Sequence, residues 1–342
     1  SYVDGNVSSL GSSISIGGIV GKVIGGAVDV SNVFYVSTDS SNSFGIKYSS
    51  TLDTSTYNAN YPWEIRDNDH PILWVLDKKY VTQTAVAPSV MNGDEFRISS
   101  ISELEWFFAN VNTQTVKKAR LVADLDYSST LWTPVSIPNG VVLDFSGFTL
   151  NNVRVVNNQA MFINNNGTIK NLVLKDSGNF NSFAIGEQAM VVANNYGTLQ
   201  HIQVNADVVN KHFNQQINGK NVVVGGVTAK VNGENANINT SYFNGNIVVD
   251  SVDIGTAYVS GLVALVTDSD NMLISQNYAD TNISITTDAV AKLYTAGLIG
   301  LVNNSNNLQV LDNYATGSIT TSASITSSNT KLASVIAGIT SD

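Results

Sequence analysis

The chain contains no cysteine, so no disulfide staples the fold and no thiol is available for redox, nucleophilic or metal chemistry. Charge is scarce as well. Only 13% of residues are charged, and 27 Asp and Glu against 17 Lys and Arg leave a formal charge of −10. That balance argues against nucleic acid as a partner, since phosphate backbones are bound through basic patches that release counterions. No run of 18 apolar residues occurs, so no membrane-spanning helix is written here and membrane insertion is not expected. There is no initiator Met and no secretory leader at Ser1. The chain opens and closes inside repeats, and so reads as a piece of a longer protein. What it does have is abundant Asn, Ser, Thr, Gly and Val, with 43% apolar residues. Enough apolar surface exists to offset chain entropy, so this is a folding composition rather than a disordered one.

The strongest positive signal is a repeat. SYFNGNI begins at Ser241, NYADTNI at Asn277 and NYATGSI at Asn313, which sets Tyr242, Tyr278 and Tyr314 at intervals of 36. A small-apolar block precedes each: GGVTAKV from Gly225, SGLVALV from Ser260 and AGLIGLV from Ala296. Related strings occur early in the chain, as SYVDGNV at Ser1, GGIVGKV at Gly17 and FYVSTDS at Phe34. A fixed period of this size means stacked supersecondary units. Inward Val, Ile and Leu alternating with outward Ser, Thr and Asn is the strand period. Tracts such as NNSNN, TDSDN and NGENAN supply residues that tolerate turn dihedrals.

With room for three short strands per unit, the expected fold is all-β, a right-handed parallel β-helix in two tandem modules. The first spans 1–78 and ends in YPWEIRDNDHPILWVL, where Trp63 and Trp74 replace the small residues of the repeats. Bulk at that place reads as a cap over an otherwise exposed cross-section. Residues 79–93 read as an extended linker, and 94–342 as the second module. That module opens on a helix over 101–112, with Ile101, Leu104, Phe107, Phe108 and Val111 at helical spacing. Ser102 and Glu105 are placed to form a capping box. Strand-like runs follow, and five repeat units are counted from residue 160. Five coils at ~4.8 Å would make a rod only ~25 Å long.

GGIVGKV, SGLVALV and AGLIGLV resemble the G-G-L-V-G core of GLUG-motif repeats of large bacterial surface proteins, and NYATGSI resembles that repeat's other half. ISELEWFFANVN, LVADLDYSSTLWTPV and VLDFSGFTLNNVRV are similar to the segments that precede such repeats, and YPWEI…HPILW to the one that ends them. The resemblance implies an extracellular parallel β-helix on the bacterial cell surface, a non-catalytic adhesin or stalk segment. Its partner would be a glycan or protein on a host or neighbouring cell. A subunit of a self-assembling filament or surface layer, docking end to end with its own copies, is the alternative. Similar repeats also flank immunoglobulin A metalloproteases. Those carry H-E-x-x-H, whereas His70, His201 and His212 are scattered here.

Some β-helices cleave polysaccharides, which takes two facing carboxylates or a base with acidic metal ligands. The acidic pairs at hand are Asp124 with Asp126 and Asp250 with Asp253. Arg occurs only at 66, 97, 120 and 154, outside the later repeats. No catalytic set and no cofactor is therefore expected. Calcium is a weak candidate at Asp67 and Asp69 and at Asp268 and Asp270. Both tracts lack the Gly and distant Glu of a twelve-residue calcium loop. Sequons at Asn6, Asn166, Asn239, Asn282 and Asn303 are near the chance number for an Asn-rich chain.

Overall fold

The computed structural model describes residues 2–4, 34–36, 46–48, 63–64, 72–73, 84–91, 93–155, 160–175, 180–182, 186–212, 220–234, 236–325 and 330–340. The chain divides into two compact units, Ser1–Asp77 and Lys78–Asp342. In the first, Tyr2–Asp4, Phe34–Val36 and Ile46–Tyr48 form a parallel sheet, with Tyr2 opposite Phe34 and Phe34 opposite Ile46. Trp63–Glu64 pairs antiparallel with Ile72–Leu73, inside the segment expected to end the module. Trp74 and the block at Gly17 lie outside the described residues.

The second unit is a parallel β-helix. One face stacks Glu95–Ile98, Lys118–Leu121, Val142–Asp144, Thr168–Lys170, Thr198–Gln200, Asn237–Asn239, Leu273–Ser275 and Gln309–Leu311. A second face runs from Val135–Ile137 to Ile336–Thr340, and a third from Leu125–Asp126 past Tyr314–Thr316. The coils thus begin well before residue 160. The runs expected only to lead into the repeats already pair in register with them, Leu143 with Ile169 and Leu150 with Leu174. With Ser89–Met91 at its edge the first face has nine strands, so at ~4.8 Å per strand the unit extends about 40 Å, not 25.

The third strand of a unit is also longer than expected. Tyr242–Ser260 and Tyr278–Ala296 are continuous strands of 19 residues, paired in parallel from Tyr242↔Tyr278 to Ser260↔Ala296. No turn tract interrupts them. The core follows the alternation. Ile169, Leu199, Ile238 and Ile274 stack along one face, fully buried. Val263 and Leu298 are buried in the core as their spacing requires, while Val310 and Ile319 are half-buried against it; Leu301 is buried too, but it stacks on Leu265 outside that core. Leu265 does not point into that core. Its counterpart one coil back is Lys230, so the position faces outward, and Leu265 packs on a small cluster of Ala189, Val223, Ala229 and Ala264.

One end of the unit is closed by the helix Ile101–Asn110. The N-cap is Ser100, two residues before the serine expected. Ser100 has extended φ −146° and ψ 159°, and its hydroxyl accepts from the Glu103 N–H at 3.3 Å. Glu103 reaches back to the Ser99 N–H at 2.6 Å, so the reciprocal carboxylate is Glu103 rather than Glu105. Ser102 already lies within the first turn and cannot cap it. At the other end Lys117 Nζ donates to the Val111 carbonyl at 2.6 Å, a cation where the helix dipole favours one. Leu104 and Phe107 are buried, and Phe96 packs edge-on against Trp106 and Phe107. Residues 89–91, expected in the linker, pair antiparallel with Glu95–Ile98 across a turn at Gly93. That hairpin forms the sheet edge beside the helix.

From the coil of Val142–Asp144 onward, each coil turns the same corner, between the first face and the third, on one left-handed residue. These are Ser146, Asn171, His201, Thr240, Gln276 and Asp312, all with φ between 48° and 57°. Asn adopts such angles at little cost, whereas a β-branched residue is strained by roughly 1–2 kcal/mol. Thr240→Asn is therefore expected to raise stability by about 1 kcal/mol, read as a higher Tm of about 2–4 °C. An unchanged or lower Tm would show that the Thr240 corner carries no strain.

Candidate functional site

The repeated motif is built outward from this corner. Immediately after the left-handed residue stand Ser241, Asn277 and Asn313, the first two buried. Their polar atoms link coil to coil. The Ser241 N–H donates to Asn277 Oδ1 and the Asn277 N–H to Asn313 Oδ1, both at 2.9 Å. The Asn277 and Asn313 amides donate inward to the Ile238 and Ile274 carbonyls at 3.0 and 2.8 Å. One residue on, Tyr242, Tyr278 and Tyr314 form an outer ladder, with ring centroids 5.1 and 5.3 Å apart and planes within 11° of parallel. The Tyr278 ring is covered on both faces by its neighbours, while Tyr314 ends the ladder and is exposed. The following residue points inward as Phe243 or Ala279.

The small-apolar block supplies the facing surface. Gly261 sits where an added Cβ would overlap the Gly297 carbonyl oxygen and approach Thr281 Cγ2 to 2.7 Å and Ala279 Cβ to 2.9 Å. Gly226 repeats this beneath the Phe243 ring. The equivalent place one coil earlier holds Met190, whose N–H donates to the Gly226 carbonyl, and there the residue opposite Phe243 is the smaller Val204. Bulk is exchanged between neighbouring positions, which keeps the interior filled.

The turn tracts form a third ladder. Asp268 and Asn304, then Asn271 and Asn307, take left-handed φ, 36 residues apart in each pair. Asp268 Oδ1 accepts from the Asn304 amide at 2.7 Å and Oδ2 from the Thr267 hydroxyl at 2.9 Å. These two donors, Asn304 first, hold the Asp268 carboxyl below its usual range. Asp270 Oδ1 accepts from the Asn306 N–H at 2.8 Å. The two weak calcium candidates of this tract are thus occupied in joining coils. Asp67 and Asp69 lie outside the described residues. Among the described residues no group of three His, Cys, Asp or Glu is placed to hold a metal ion.

The Asp124 and Asp126 carboxylates are likewise committed to neighbours. Asp124 Oδ1 accepts from the Thr149 N–H at 2.6 Å. Asp126 Oδ1 accepts from the Asn152 amide at 2.8 Å and the Ser128 N–H at 2.9 Å. The Asn152 bond and then the Ser128 bond lower the Asp126 pKa, the direction opposite to what a general acid requires. Asp250 and Asp253 lie on the long strand opposite Thr286 and Ala289. His201 occupies its corner and His212 a strand end opposite Ser251, so the structure does not bring them together. Of the sequon residues, Asn282 donates to Asn246 at 3.3 Å and accepts from the Ser318 hydroxyl at 2.8 Å, and Asn303 accepts from Thr340 at 2.7 Å.

One concave site went unnoticed in the sequence. A cavity of about 330 Å³ lies between the helix and the first coils, lined by Glu105, Phe108, Tyr127, Trp132 and Val135. These residues are dispersed over 31 positions and follow no motif. Among the described residues no helix is long and apolar enough to cross a membrane. Compared with known proteins, the chain matches no family model, no curated protein and no solved structure.

Proposed function

We propose that this chain is a non-catalytic extracellular segment of a bacterial surface protein, an adhesin or stalk that holds a binding part away from the cell. The observation that carries this reading is where the polar groups are spent. Asn304, Asn306, Asn307 and Ser305 each bond the residue 36 positions earlier, at 2.7–3.2 Å. Asn282, Asp280 and Asn277 do the same with Ser318, Thr316 and Asn313. Side chains that could face a ligand are used to lock one coil to the next, which suits a stiff spacer. The resemblance to GLUG-motif repeats supports the extracellular placement. It is a fold-level analogy, so the site must be tested directly. The test is protease shaving of intact cells that make the protein, with detection by an antibody raised to residues 84–340. Loss of the signal with an internal marker intact is expected, and full protection would overturn the reading.

A filament subunit is the second reading, and a specific surface favours it. Gln309–Leu311 and Ile336–Thr340 are the outermost strands of their sheets. Leu311, Tyr314 and Leu332 are exposed beside them, and Ile339 is 73% exposed. Unpaired strand edges with apolar side chains are templates for another chain. Ile336 packs against the core, so a lysine there would disturb the fold, whereas Ile339→Lys leaves it intact. If copies dock on this edge, light scattering will show association of the parent that Ile339→Lys abolishes at unchanged Tm. A parent that stays monomeric at high concentration removes this second reading.

A further inference from the structure

The cavity beside the helix is walled by aromatic rings set at steep angles around Trp132. Phe108 lies 5.6 Å from Trp132 at 66°, and Tyr127 lies 5.4 Å from it at 48°. The box is held firmly. Trp132 Nε1 donates to the Met161 carbonyl at 2.8 Å and its ring packs edge-on against Phe162 at 5.5 Å. Trp132 and Tyr127 are almost fully buried, so they have little freedom to collapse into the space. About 330 Å³ is at the small end of ligand pockets, which run from about 300 to 1,000 Å³.

Glu105 is the one ionisable carboxylate on this wall. Its burial raises its pKa, and no hydrogen bond or ion pair offsets that among the described residues. The Tyr127 phenol, which lines the same cavity, is pushed up too, first by burial and then by the charge of Glu105. Three aromatic side chains and a half-buried carboxylate lining one cavity favour one chemistry above others, a cation whose charge is spread over apolar substituents.

We propose that this pocket binds a small organic cation of the methylated-ammonium class, with Phe108, Tyr127 and Trp132 around its methyl groups and Glu105 opposing its charge. A strongly hydrated ion such as ammonium would lose too much hydration there, and an anion would meet Glu105. The same head group can arrive free or on a lipid, and the pocket chemistry is common to both.

Choline and tetramethylammonium are titrated into the full chain and followed by tryptophan fluorescence and by calorimetry. 3,3-Dimethylbutan-1-ol, the uncharged shape analogue of choline, is the control. Choline is expected to bind at least roughly tenfold more tightly than the alcohol. Glu105→Gln should remove that preference, and Phe108→Leu should weaken both cations by about tenfold while circular dichroism shows the fold retained. Phosphatidylcholine vesicles, compared with phosphatidylglycerol vesicles, distinguish a lipid-borne head group from the free cation. Equal affinity for choline and the alcohol, unchanged binding by Glu105→Gln, or no saturable binding of either cation would each overturn the proposal.

Discussion

Leu298→Asp is expected to unfold the later coils. Leu298 is fully buried in the main core, and the Leu262 N–H donates to its carbonyl at 3.3 Å, which places Leu262 one coil below. A carboxylate there has no cation to pair with among the described residues. Burying it unpaired costs on the order of 5 kcal/mol, beyond the usual range for a point mutant. In a solenoid each coil is supported by its neighbours, so the loss should spread locally before it becomes global. Hydrogen exchange is expected to show protection lost first over 260–340, with that over 118–204 retained longer. Melting within a degree or two of the parent would mean that the coil containing Leu298 is not stacked as described.

Such a local failure matters for the proposed role. A spacer transmits force through its weakest coil, and the coils after residue 240 carry the densest side-chain ladders. The Tyr ladder, the Asn ladder and the turn ladder all run in register there because successive units are the same length. Between Thr198–Gln200 and Asn237–Asn239 the spacing is 39 residues, against 36 for each of the next two steps. The register is nevertheless kept across the longer step, with Val204 opposite Phe243 and the Asn246 N–H donating to Asp207 Oδ1 at 2.7 Å.

How much of this was legible in the sequence follows from what the repeat makes periodic. The parallel β-helix, the inward Val263 and Leu298, and the turn role of TDSDN and NNSNN depend on local residue type at fixed spacing, and all could be read. The coils before residue 160 could not. Their first-face steps are 24 and 26 residues (Lys118, Val142, Thr168), against the 36 of the later units, so no constant period announces them. Leu265 lies outward although alternation alone would turn it inward, because Lys230 occupies the same place one coil back. Ser102 misled because two overlapping serine–glutamate frames exist, and only the extended backbone at Ser100 selects between them. The aromatic pocket was illegible for a topological reason, since Glu105, Tyr127 and Trp132 meet only after the helix folds back over the coil.

Asn277→Ala is expected to be nearly as damaging as the buried carboxylate, although it removes no charge and little volume. The lost amide leaves the Ser241 N–H without its acceptor, the Ile238 carbonyl without its donor, and Asn313 Oδ1 without its amide partner. Each buried group left unsatisfied costs about 1–3 kcal/mol, and two of the three are backbone. A total of about 3–4 kcal/mol is therefore expected, read as a Tm lower by roughly 8–14 °C. Asn277→Ser supplies the comparison. Serine stands at the same place one coil back, where the Ser241 hydroxyl donates to the Asn239 carbonyl at 3.0 Å and accepts from the Ile202 N–H at 3.3 Å. A serine at 277 can make the same local bonds but cannot reach across to Ile238, so about half of the loss should be recovered. If alanine and serine behave alike, the inner ladder is packing alone and its hydrogen bonds are not what holds coil to coil. If serine recovers stability as expected, the Asn-Tyr pair of each repeat is a stacking device. The repeated motif then explains the rod, and ligand recognition must be sought away from it.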